Sequence, residues 1–167
     1  MPETGEEIVG AWLRYMASCE FVEYGVQIPG AGEIDVVGLS LRHNRAYVCE
    51  VATHIHGLQY KDNRGTIEKK FLRAKEYADD ALRSVNVSYE FWSPVVRTGL
   101  QLDAVKQVQS ALRDGPGIEL AAIINASYRD RLKELRQVAS ELTRNASHPV
   151  LRLLQIEEWS SKYVQSP

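Results

Sequence analysis

Two stretches decide how this chain is read: Gly32-Glu33-Ile34-Asp35-Val36-Val37-Gly38, and Tyr47-Val48-Cys49-Glu50-Val51-Ala52-Thr53-His54. Each reads as a core β-strand, and each is interrupted by one acid, Asp35 or Glu50. An ionised carboxylate in such a run is costly unless it is paired or bound to a metal. Side chains alternate between the two faces of a strand. Glu33 therefore shares a face with Asp35, and Glu50 shares one with Ala52 and His54. The short polar turn His43-Asn44-Arg45 lies between the two strands. If they pair as a hairpin, Asp35 and Glu50 meet at one place. Two carboxylates plus a backbone carbonyl make a hard oxygen site suited to Mg²⁺, an ion that polarises a phosphate and activates water. The plainer alternative puts both acids on an exposed sheet face or against nearby arginines.

Working outward, residues 3–19 read as a helix, with Thr4 as N-cap and Glu6 and Glu7 in the first turn, where the helix dipole favours acids. Residues 21–28 alternate as a strand, and Pro29-Gly30-Ala31-Gly32 is turn chemistry. With strands at 33–41 and 46–55, this makes an antiparallel meander. The polar stretch 57–65 precedes an amphipathic helix over 66–81, with Ile67, Phe71, Ala74 and Ala78 on one face. A strand over 85–96, a helix over 102–112, a buried strand over 118–125 and a basic helix over 128–142 follow. Residues 150–156 read as a last strand. Alternation of strand and helix in the second half favours parallel pairing. The expectation is one α/β domain over residues 1–167, a mixed sheet flanked by helices.

Composition narrows the class. The chain has 167 residues, 44% hydrophobic and 25% charged, with a formal charge of -2. These values exclude a disordered or collagen-like chain. They also exclude an overall basic coat, so any nucleic-acid surface must be local. No apolar run is long enough for a membrane-spanning helix. Cys19 and Cys49 sit in apolar contexts, and no basic-then-apolar export signal follows the acidic start. A reduced, cytoplasmic protein is the expectation.

The acids and their place in the element order resemble the PD-(D/E)XK nuclease superfamily, whose restriction-endonuclease-like core runs α-β-β-β-α-β. That family carries an acid on the second strand and an E-x-K motif on the third. Residues 3–96 fit this order, and the remainder fits a C-terminal strand and helix extension. The resemblance implies that Asp35 and Glu50 hold Mg²⁺ or Mn²⁺. It further implies that Glu7, on the first helix, is the additional acid found in many members. Where the family has lysine after Glu50, this chain has Ala52. Three explanations stay open: a lysine from the following helix, replacement by another group such as His54, or loss of catalysis.

Helix geometry ranks the lysines. At roughly 100° per residue, Lys69 lies nearly opposite the face centred between Ile67 and Phe71. Lys70 and Lys75 flank that face, where a long side chain can curl under the helix. Lys70 is nearer the helix start and the end of the Glu50 strand, and the small Ala52 leaves room for it. Lys70 is the choice and Lys69 the second; the bland alternative is a surface lysine. His54 and His56 share a strand face, but no further ligands at finger spacing make them a zinc site. Residues 61–75 hold six basic side chains and two acids. Lys61, Arg64, Lys69 and Arg73 there are candidates for a phosphate backbone, and Tyr60 and Tyr77 for base stacking. A solvated helix face is the alternative. The function expected is a metal-dependent nuclease, most readily for DNA and with a homodimer possible. The alternative is an inactive nucleic-acid-binding module of the same fold.

Overall fold

Short links force neighbouring strands to run antiparallel, whereas a helical crossover lets them run parallel. This chain uses both. The computed structural model describes residues 2–164. Its elements are α1 (Thr4–Tyr15), β1 (Phe21–Ile28), β2 (Gly32–Ser40), β3 (Arg45–Val51), α2 (Asn63–Ala81), β4 (Asn86–Ser93), α3 (Leu100–Asp114), β5 (Leu120–Ile124), α4 (Ala126–Glu141) and α5 (Pro149–Val164). The five strands form one mixed sheet in the order β1-β2-β3-β4-β5. Antiparallel pairing joins β1 to β2 and β2 to β3. Crossovers through α2 and α3 make β3–β4 and β4–β5 parallel.

The sheet separates two cores. On one side, Val48, Tyr89 and Phe91 meet Ile67, Phe71 and Ala74 of α2 and Val105, Val108 and Leu112 of α3. On the other, Val36, Cys49 and Trp92 meet Val9, Trp12 and Leu13 of α1, Leu135 of α4 and Leu151 of α5. Central strands covered on both faces must be apolar nearly throughout. That is why β3 and β4 read as core runs.

One irregularity shapes the edge of the sheet. Along β1, Val22 and Tyr24 pack towards α1, but Val26 and Ile28 pack towards α2. On β2, Val36 packs towards α1 and Ile34 towards α2. Tyr24 pairs with Val36, and Val26 with Ile34. Both strands therefore turn over at the level of Gly25 and Asp35. Gly25 has φ +59°, a conformation that glycine adopts with least strain.

Several sequence expectations shift. The first helix is capped by a reciprocal Glu3–Glu6 box rather than by Thr4. It ends at Tyr15, and Ser18 in a left-handed conformation turns the chain into β1. β3 ends at Val51, so His54 and His56 lie in the loop beyond it and do not share a strand face. The largest correction is at 150–156, which is helix and not strand. Pro149 opens α5, where its fixed φ suits a helix and its missing N–H is not needed. Residues 150, 151, 154 and 155 face inward, which is helical spacing. α5 packs on α4 and α1 instead of extending the sheet.

This assignment has a direct test. In a strand, Leu151 and Leu153 would share a face. In α5, Leu151 is fully buried and Leu153 is 66% exposed. Leu151→Ala is expected to lower stability by about 2–5 kcal/mol. Leu153→Ala is expected to stay within about 0.5 kcal/mol of the parent. Urea unfolding of the two variants reads the difference, and equal losses would contradict the helix.

Candidate functional site

The pairing of Val36 with Cys49 brings Asp35 level with Glu50. Alternation along β3 places Glu50 on the α2 side with Val48 and Ala52, both buried there. Glu50 is 1% exposed and Asp35 8%. α2 lies over them and inserts Ile67 and Phe71 into the core. Lys70, between these anchors, reaches back under the helix. Its ammonium donates to Glu50 Oε2 at 2.5 Å and to Asp35 Oδ2 at 3.3 Å. Asp35 Oδ2 also accepts the backbone N–H of Val51 at 2.7 Å, which ties the β2 acid to the end of β3.

The electrostatics follow from burial. Removal from water pushes the Glu50 carboxyl up to about 8; the Asp35 charge adds to this and the Lys70 ammonium opposes it. Burial works against the Lys70 cation, but the Glu50 and Asp35 charges outweigh it and hold its pKa above the usual lysine range. Burial also raises the half-buried Tyr60 phenol, with Lys70 opposing. Glu50 Oε2 is satisfied by Lys70, while Glu50 Oε1 is buried with no hydrogen-bond partner. A buried acceptor left this way carries the full desolvation penalty. Among the described residues, no three His, Cys, Asp or Glu side chains come close enough to hold a metal ion together. The oxygen donors present are those of Asp35 and Glu50. These hard carboxylates, with one orphaned oxygen, fit a divalent cation such as Mg²⁺ or Mn²⁺ that completes its shell with water and substrate.

The other expected residues separate. Glu7 turns away from the carboxylates: its Oε2 lies 3.2 Å from His148 Nε2 and accepts from the Tyr24 hydroxyl at 3.4 Å. Its neighbour Glu6 is the α1 acid that senses Asp35. Burial raises the Glu6 carboxyl, a backbone hydrogen bond at Glu3 partly offsets this, and the Asp35 charge adds to it. Sequence phase alone could not choose between adjacent acids before the buried face of α1 was known. His54 is exposed and set edge-on to Tyr60, with ring centroids 6.3 Å apart.

The basic stretch is largely spent on internal contacts. Arg73 donates to the Ala31 carbonyl in the β1–β2 turn and to the Lys69 carbonyl, so it straps the hairpin to α2. Arg64 pairs with Glu68 at 3.7 Å, and Lys75 pairs with Asp79 at 2.8 Å. Lys61 and Lys69 are exposed and make no ion pair among the described residues. Tyr60 and Tyr77 both pack against the α2-side core.

Sequence reasoning overlooked Glu90, a third acid inside a core strand. It accepts from Trp92 Nε1 at 2.8 Å and packs on the α1 side with Trp92 and Cys49. The signal was the same one that marked Asp35 and Glu50. Only the sheet shows that Glu90 faces the opposite core. Comparison of the chain with family models, curated proteins and solved structures finds no match.

The raised Glu50 carboxyl has a measurable consequence. The folded protein binds this proton more tightly than the unfolded chain does. The resulting stabilisation is fully present below the unfolded value near 4.5 and is lost as pH rises through about 8. Glu50→Gln stays neutral throughout. Urea unfolding between pH 5 and 8 should therefore show the parent losing stability relative to Glu50→Gln as pH rises. Parallel curves would contradict this picture of Glu50.

Proposed function

We propose that this protein is a divalent-cation-dependent nuclease that hydrolyses phosphodiester bonds, with DNA as the substrate. The single observation that carries the reading is the meeting of Asp35, Glu50 and Lys70, from β2, β3 and α2, at one buried point. The order α1-β1-β2-β3-α2-β4 supports placing this core with the restriction-endonuclease-like fold. In this reading the lysine absent at Ala52 is supplied by α2.

Asp35 and Glu50 would hold the cation, which supplies polarisation of the phosphate and a more acidic bound water. The chain's own residues do the rest. The Val51 N–H fixes one oxygen of Asp35, so that carboxylate is oriented before substrate arrives. Burial keeps the site's dielectric low, which strengthens each charge interaction there. In the protein alone, Lys70 balances the Asp35 charge while burial keeps Glu50 protonated. When a cation takes over that role, the same ammonium is free to stabilise negative charge developing on the phosphate. Glu50 must give up its proton to act as a ligand. Cation binding is therefore expected to tighten as pH rises towards about 8.

A second reading, an inactive nucleic-acid-binding module, draws on the same triad. Lys70 already satisfies one oxygen of each acid and, with Glu50 protonated, matches the Asp35 charge, so charge balance does not require a metal. The orphaned Glu50 Oε1 favours the first reading.

Cleavage of supercoiled plasmid and of single-stranded DNA with Mg²⁺ or Mn²⁺ tests the proposal. Asp35→Ala and Glu50→Ala are expected to abolish cutting. Lys70→Ala is expected to reduce it by about 10²–10³-fold, as removal of one charge-stabilising donor does. Binding of DNA without cutting under any metal, and without calorimetric metal binding, would leave the inactive module.

A further inference from the structure

The parallel strands β3 and β4 end at the same rim of the sheet, and the loops that follow them are fastened to one another. Gln101, in the first turn of α3, is the clasp. Its Oε1 accepts the N–H of Leu58 at 3.1 Å and the N–H of Arg97 at 3.0 Å, and its Nε2 donates to the Leu58 carbonyl at 3.1 Å. Leu58 is itself buried in the α2-side core. Next to it, Gly57 has φ +87°, and a Cβ there would collide with Gln101 and crowd Arg97. The Gly57 N–H closes a tight turn onto the His54 carbonyl at 3.2 Å. The loop after β3 is thus a rigid, tethered turn.

At the tip of that turn stands Ile55, 76% exposed, between His54 and His56. At the first residue of α3, Leu100 is 89% exposed, three residues after the exposed Arg97. Lys61 is exposed on the same segment, next to the exposed Asp62, whose carboxylate accepts the Gly65 N–H and caps α2. Scattered apolar surface residues are ordinary. An isoleucine held on a tethered turn between two imidazoles, with Arg97 lying against Gly57 of that turn, is a different arrangement. Its position matters too. Five residues span at most about 17 Å, so Ile55 stands within that distance of Glu50. Proteins that open or kink nucleic acid insert such apolar wedges between base steps and hold the flanking phosphates with basic side chains.

We infer that the His54–Gly57 turn is a wedge that inserts Ile55 into the base stack beside the cleavage site. The preferred substrate is then nucleic acid with unpaired or easily unstacked bases, gripped at its phosphates by Arg97 and Lys61. This rests on the reading of the Asp35–Glu50–Lys70 site as a phosphodiester hydrolase. It adds what that site does not specify, a selection for disrupted over regular duplex.

The test is equilibrium binding of the full chain to two DNAs of equal length, with Ca²⁺ in place of Mg²⁺ to keep them intact. One is a regular duplex and the other carries a short central bubble, each with 2-aminopurine at the centre. The bubble should bind about ten-fold tighter than the duplex, the scale of one base-stacking contact. The 2-aminopurine fluorescence should rise on binding as the base unstacks. Ile55→Ser, at an exposed position, should lower bubble affinity to the duplex level and remove the fluorescence rise, with duplex binding unchanged. Arg97→Ala should weaken both DNAs alike and reduce the salt slope by about one. Equal affinity without a fluorescence change, or an Ile55→Ser protein that behaves as the parent, would overturn the wedge and leave the hydrolase reading standing. Failure to bind either DNA would overturn both.

Discussion

The arrangement turns on one constraint: Glu50 lies in the α2-side core, where an unpaired carboxylate could not be kept charged. Removing such a group from water costs several kcal/mol unless a cation and hydrogen bonds compensate. Lys70 supplies the cation at 2.5 Å from one oxygen, and the same ammonium reaches Asp35. Two consecutive strands and the helix that follows them are thereby fixed to one point. The position of α2 over the sheet, the register of β2 on β3 and the end of β3 are all constrained by that contact. Yet the second oxygen of Glu50 is left without a partner. A stability device alone would not need a half-satisfied acid in the core.

The sheet prepares the ground for this contact. β1, β2 and β3 run antiparallel because their links are short, and β4 and β5 join in parallel because α2 and α3 cross between them. β3 is where the pairing changes from one kind to the other. Ligands in open α/β sheets gather at the carboxyl ends of strands, and Glu50 lies one residue from the end of β3. The turnover of β1 and β2 at Gly25 and Asp35 occurs at the same level. It lets Val36 serve the α1-side core while Ile34, two residues earlier, serves the other. Asp35 sits at the change.

The α1 face carries a separate polar cluster. Glu7, Tyr24 and His148 contact one another where α1, β1 and the start of α5 meet. There Glu7, the helix acid expected at the metal, contacts His148 just before α5 and the Tyr24 hydroxyl. Glu6, one residue earlier, shares the capping box of α1 and lines a cleft with Glu33. Adjacent residues on a helix are separated by about 100°, so one acid serves each side. Arg73 makes a similar division among the basic residues: it braces the β1–β2 turn, while Lys61 and Lys69 remain at the surface.

Much of this was legible in the residues themselves. Binary pattern marked the core strands. The tight links between the first three strands implied the meander, and the alternation that follows implied the parallel half. Acids inside core strands announced an unusual demand for charge compensation, because the hydrophobic effect would otherwise exclude them. Even Lys70 was accessible, since helical phase and side-chain length are local properties. What the sequence could not supply was direction. Glu90 carries the same signal as Glu50 and faces the other core; Glu7 and Glu6 are equivalent until α1 is docked. The apolar run at 150–156 fits strand or helix until Pro149 and the packing surface of α4 and α1 select the helix. Local chemistry determines which groups need partners. Tertiary structure decides which partners they find, because only docking of elements distant in sequence fixes the face each side chain presents.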